Sequence, residues 1–196
     1  VRDRRATFYY DLSSPYAYLA ALRVDDVLPV DAVWQPIAFG ALIREIGKVP
    51  WSMRDDTRTA GQADIAERAR ERGLPHVRWP RGWPAESYSV VPLRAVLHAL
   101  DEGRGKELSL ELYRLAFAEG VALDDLEVVI DAAERSGLDG ERARAAVEAP
   151  EIKQRLRAAT DEALRRGVTG VPTIAVGDQL YWGDDRLEDA AHAAAA

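Results

Sequence analysis

The spacing of apolar positions changes several times along the chain, and each change marks an element. Residues 6 to 12, ATFYYDL, form the short aromatic run expected of a buried strand. From Ser14 the apolar residues recur at helical spacing, through Tyr18, Leu19 and Leu22 to Val27 and Leu28 before Pro29. DAVWQPIAF, residues 31 to 39, predicts a second strand, with Pro36 calling for an edge position or a bulge. Strand, helix and strand in that order predict a βαβ unit with parallel pairing and a right-handed crossover.

The centre of the chain is helical throughout. Residues 55 to 73 predict an amphipathic helix closed by Gly73, followed by the aromatic, proline-rich loop LPHVRWPRGWPAESYS. Helical patterns resume near 90 to 103, 105 to 119, 125 to 136 and 139 to 148, punctuated by Gly103, Gly120 and Gly137. Residues 150 to 167 open on a proline suited to the first helical position and close on Gly167. PTIAV and QLYWG then predict two strands joined at Gly177 and Asp178. A last helix begins near Asp185 and runs into the tail AAHAAAA, which either extends it or frays. No internal repeat or low-complexity linker interrupts the chain. The fold class is therefore α/β: residues 1–38 and 150–196 form a small sheet domain, and 39–149 an all-helical insertion.

Composition narrows the function classes. With 47% hydrophobic and 30% charged residues among 196, the chain is globular rather than disordered. Its net charge of −7 argues against nucleic acid as a partner while leaving small anions open to a local pocket. There is no cysteine, so neither disulfide nor thiolate metal site nor protein-thiol chemistry is available. VRDRRATFYY lacks the apolar core of a signal peptide and no run approaches a membrane span, so the expectation is a soluble, cytoplasmic protein.

Two stretches carry candidate chemistry. In SSPY, Ser14 before Pro15 suits an N-cap and a first helical residue, which is a complete structural account. The same turn exposes helix N–H groups and a hydroxyl to an anion or thiolate, so two uses stand side by side. No G-x-S-x-G or partner histidine supports a serine nucleophile. In GVTGVPTIAV a cis Val171–Pro172 bond is plausible, leaving the Val171 backbone to pair with an extended ligand; an ordinary proline at a strand start explains it equally. In WGDDRLE, Asp185 with Glu188 fits a capping box, while Asp184 and Asp185 together could hold an ammonium group.

These residues together resemble one family. FYYDLSSPYAYLA, GVTGVPTIAVGDQLYWGDDRLED and the helical insertion between them are similar to the 2-hydroxychromene-2-carboxylate isomerases and the related kappa-class glutathione transferases. Both are relatives of the DsbA-type thioredoxin proteins. The resemblance implies a thioredoxin-like fold, β-α-β then α-β-β-α around the insertion, and glutathione or a related small thiol as cofactor. Ser14 would hydrogen-bond the glutathione sulfur, and Val171 before cis-Pro172 would pair with its cysteinyl part. Trp182, Gly183, Asp184 and Asp185 would grip the γ-glutamyl end. The family's ligand-touching asparagine is replaced here by Lys48 in GKVP. The implied reaction is isomerisation of an aromatic-derived unsaturated carboxylate by transient thiolate addition to a conjugated double bond. A transferase forming a stable thioether, or a non-catalytic thiol- or peptide-binding module, is the alternative. A homodimer is the family expectation.

The loops KVPWSMRDD and HVRWPRGWPAESYS would supply the substrate pocket. Trp51, Trp79, Trp83 and Tyr88 interleave with Lys48, Arg54, Arg78 and Arg81, a mixture suited to an aromatic carboxylate or simply to a rigid, solvated loop. Among these, Lys48, Trp51, Arg54, Trp83 and Tyr88 are taken as substrate residues. His76, His98 and His192 lack ligand-like spacing, so no metal is expected. GRGKE fails as a P-loop, with Leu100 and Glu107 where glycine and Ser/Thr belong, and KELSLELYRLAFAEG reads as core.

Overall fold

The computed structural model describes residues 5–195. Residues 1–4, where the stretch read for a leader begins, and Ala196 at the end of the alanine tail lie outside that range.

Strand β1 (Ala6–Tyr10) is central because both of its faces are apolar. Phe8 and Tyr10 point into the main core, where both meet the Trp34 ring edge-on at 5.0 and 5.5 Å. Tyr9 points to the other face, into a smaller cluster with Ile37, Leu42, Ala163 and Val171. The chain then forms α1 (Pro15–Ala21), α2 (Val24–Val27) and β2 (Ala32–Pro36), which pairs parallel with β1. The helix predicted from Ser14 to Leu28 is thus two helices, separated at Leu22 and Arg23. β2 is an edge strand ending at Pro36, whose missing N–H costs no ladder bond there.

After β2 come α3 (Phe39–Glu45), a 3₁₀ turn at Trp51–Met53 and α4 (Asp55–Glu71). The expected apolar stripe on α4 shrinks to two buried residues, Ile65 and Ala69; polar contacts described below hold the rest of this helix. The helices α5 (Val90–Asp101), α6 (Gly105–Tyr113), α7 (Leu126–Arg135), α8 (Gly140–Glu148) and α9 (Pro150–Arg165) follow, with a π turn at Arg114–Glu119 extending α6. Tyr113 and Phe117 of this stretch are fully buried against Tyr18 of α1, and the Tyr10 hydroxyl meets Ser109 Oγ at 2.6 Å. Each such large side chain contributes about 1.5–3 kcal/mol by its burial.

β3 (Thr173–Val176) lies antiparallel to β1, and β4 (Gln179–Trp182) antiparallel to β3, giving the order β2-β1-β3-β4. A 3₁₀ turn at Asp184–Arg186 leads into α10 (Leu187–Ala195). The capping box predicted from Asp185 and Glu188 does not form. Gly183 occupies the cap without a side-chain bond, and Glu188 pairs with Arg23 of the α1–α2 junction instead. Among the described residues, no helix is long and apolar enough to cross a membrane.

Candidate active site

The turn between β1 and α1 is organised by Asp11. Its backbone carbonyl accepts the Ser14 N–H at 3.0 Å, and its carboxylate accepts both the N–H and the hydroxyl of Ser13 at 2.8 Å. Aspartate favours such turns because its short side chain reaches the backbone two residues on. The second carboxylate oxygen accepts the Phe39 N–H at 2.7 Å, so one buried side chain ties the first turn of α3 to the serine turn. Asp11 is fully buried. Burial pushes its carboxyl above the usual range, and the bonds from Ser13, Ser89 and Phe39 pull against that rise.

Ser14 is the N-cap of α1. Its Oγ accepts the Ala17 N–H at 3.2 Å and donates to the Val171 carbonyl at only 3.4 Å, beyond the usual range for a hydroxyl donor. The Val171–Pro172 bond is cis. The Val171 N–H has no acceptor among the described residues, while its side chain packs into the smaller core cluster. Trp182, closing β4, is 60% exposed, and the Gly183 N–H donates to the Pro172 carbonyl at 2.9 Å.

Ser13, Ser14, Val171, Pro172, Trp182 and Gly183 line one cavity of about 820 Å³. Of the residues expected from sequence, the structure brings Ser14, Val171, Pro172, Trp182, Gly183, Asp184 and Asp185 to its wall, together with Lys48, Trp51, Trp83 and Tyr88. Arg54 is not among them. It turns outward, paired with Asp56 at 2.9 Å, because the first turn of α4 offers it a carboxylate two residues away. Trp79, Arg78 and Arg81 also stand off the cavity wall; Trp79 backs Trp83 at 4.4 Å between ring centres and carries the stack inward to Phe117.

Trp83 and Trp51 form the aromatic side of the cavity, 5.8 Å apart, and the Trp83 indole N–H donates to the Ser13 carbonyl at 3.3 Å. Trp51 in turn lies against α4, where a Cβ at Gly61 would run into its ring. The segment between β2 and α9 therefore supplies this wall and bonds it directly to the serine turn.

At the opposite wall Asp184 is committed to protein contacts. It is 1% exposed, accepts from Arg68 at 2.7 Å and pairs with Arg72. Arg68 also binds Asp64 at 2.9 Å and approaches Asp185 at 3.5 Å, and its guanidinium lies over the Tyr16 ring. Burial lowers the Arg68 basicity, but the surrounding carboxylates more than reverse that. The Tyr16 hydroxyl, held up in pKa by burial and by Asp64, donates to the same Asp64 at 2.7 Å. Of the two acids expected to act together, Asp184 is engaged by two guanidiniums, while Asp185, whose side chain is 55% exposed, keeps more of its lone pairs open.

Sequence reasoning passed over Asp11 and Arg68. Asp11 was legible as an aspartate closing a strand two residues before serine. The partner of Arg68 lies 116 positions away, beyond any local pattern. Among the described residues, no group of His, Asp and Glu could hold a metal ion.

The DSBA-like thioredoxin domain family matches residues 6–195. A 2-hydroxychromene-2-carboxylate isomerase of Sphingobium xenophagum is 26% identical over 195 residues, covering 92% of this chain and 93% of that protein. Human glutathione S-transferase kappa 1 is 23% identical over 210 residues, covering 96% and 90%. A solved structure of a 2-hydroxychromene-2-carboxylate isomerase superposes with a TM-score of 0.84 at 22% identity, covering 93% and 90%, and shares the fold.

Proposed function

Because this chain belongs to the DsbA-like thioredoxin-domain family, we propose that it is a glutathione-dependent isomerase acting on an aromatic-derived unsaturated carboxylate. The observation that carries this reading is that Ser14, with a weakly held hydroxyl, and Val171, with an unpaired N–H, line one large cavity. Named relatives at similar length, an isomerase and a glutathione transferase, support the reaction class.

The donor set fits a cysteinyl thiol. Ser14 Oγ–H is held only by a long bond and loses little by turning to a sulfur. The Val171 N–H is an unused backbone donor beside it, suited to an extended peptide. The chain has no cysteine, so sulfur chemistry here requires a ligand thiol. When bound, glutathione would supply the sulfur nucleophile that adds transiently to a conjugated double bond and permits its rotation. Ser14 would stabilise the thiolate, before addition and after its departure, by donating to the sulfur, and Val171 would orient the peptide. Asp185 is the open carboxylate for the ligand ammonium. Trp51 and Trp83 present aromatic faces to the substrate, and Tyr88, 69% exposed, stands at the mouth.

Calorimetry with glutathione tests the cofactor: millimolar binding is expected, and its absence sinks the reading. The kappa relative favours a second outcome, transfer rather than isomerisation. Rapid mixing of protein, glutathione and a chloronitroaromatic distinguishes the two, since a stable thioether marks a transferase. Binding without turnover of any electrophile marks a non-catalytic thiol-binding module.

A further inference from the structure

The charged residues lining the cavity are Arg44, Lys48, Arg68, Asp184 and Asp185. Three of them form one ion-pair cluster at one wall, where Arg68 joins Asp184 and Asp185 and Arg72 supplies the second cation. Arg44 and Lys48 have no carboxylate partner among the described residues, and the Lys48 ammonium has only the Trp182 ring, at 6.0 Å. The uncompensated charge of the cavity is therefore positive, in a chain whose net charge is −7.

The backbone builds this pair. The Lys48 N–H donates to the Ile43 carbonyl at 3.0 Å and the Gly47 N–H to the Arg44 carbonyl at 3.3 Å, the two bonds of a Schellman turn at the end of α3. Gly47 sits at φ 67°, a conformation that disfavours a side chain. The turn sets Lys48 beside the last turn of α3, four residues after Arg44. Arg44 and Lys48 both line the cavity wall, and neither has an internal anion among the described residues. Around them the mouth is apolar, with Val49, Met53 and Val90 exposed.

We propose that Arg44 and Lys48 form a carboxylate clamp that selects ligands with an acid group joined to an apolar body. The clamp deepens the reading above by assigning the acid of the substrate to named residues, and it rests on that reading for the identity of the reaction. The carboxylate comes from the organic acid or from the glycyl end of glutathione, which share the chemistry.

The test uses the full chain, with quenching of tryptophan fluorescence as readout. 2-Naphthoate is titrated without thiol into the natural protein, the double variant Arg44→Gln/Lys48→Gln and the control Arg54→Gln, beside neutral 2-naphthamide. The clamp predicts that the double variant weakens naphthoate about tenfold and leaves naphthamide unchanged, while Arg54→Gln binds naphthoate normally. If instead only glutathione binding falls, and its glycyl ethyl ester binds both proteins alike, the clamp stands and serves the thiol. Equal binding of both acids to the natural protein and the double variant, no binding of either acid by the natural protein, or an equal loss in Arg54→Gln overturns it. Intact naphthoate binding with no glutathione binding sinks the thiol reading and leaves the clamp.

Discussion

Ser14 Oγ stands 3.4 Å from the Val171 carbonyl oxygen, although 157 positions separate the two residues. The turn after β1 and the segment before β3 thus meet at a single hydroxyl, which also caps α1. Ser14→Ala removes the cap and the donor together. It is expected to cost about 1 kcal/mol in urea unfolding and to lower thiol-dependent turnover by about a hundredfold. Unchanged turnover would remove Ser14 from the reaction.

Asp11 gives a pH prediction. Its carboxyl is raised by burial, so between its unfolded value near 3.8 and its folded value the native state holds the extra proton. Its contribution to stability is full below the unfolded value and is lost as pH rises through the folded one. In Asp11→Asn that slope disappears, and an amide N–H now faces either the Phe39 or the Ser13 donors, a further loss of about 1–3 kcal/mol. The stability difference between natural and variant proteins, measured by urea at stepped pH, should therefore vary across this window. A flat difference would show that Asp11 titrates as an ordinary carboxylate.

Asp184 holds two arginines at a nearly dry wall. Asp184→Ala removes the buried anion the two share, leaving Arg68 only Asp64 and Asp185, and is expected to cost roughly 3 kcal/mol. Combined with Arg68→Met the loss should be clearly less than additive. Additive losses in a double-mutant cycle would mean that the pair is not coupled.

Gly61→Ala runs against the usual gain. In an open helix interior alanine stabilises by about 1 kcal/mol over glycine. Here the new methyl meets the Trp51 ring, so thermal unfolding should show a loss, with a shift in tryptophan emission. A higher Tm with unchanged emission would show that Trp51 is free to move.

The strands and most helices were legible because they alternate or repeat within a few residues. β1 reads as a buried strand from its aromatics, and Pro36 identifies an edge. The ends of the predicted site were legible for the same reason: SSPY and GVPT are local turns. The ligand-facing roles of acids and arginines were not. Arg54 looked like a pocket cation from its neighbours in sequence, yet Asp56 captures it. Asp184 looked like an open acid, yet Arg68 and Arg72 reach it from a helix more than a hundred positions earlier. Charge pairing of this kind is decided by tertiary proximity, which a periodic pattern does not carry.

The proposed chemistry requires a thiol held and ionised beside Ser14. The ultraviolet absorbance of the glutathione thiolate, followed against pH with and without protein, measures this directly. Bound glutathione should ionise well below the value near ~8.5 of an ordinary thiol, and Ser14→Ala should return it toward that value. A saturated complex whose thiol titrates as it does in free solution would contradict the account.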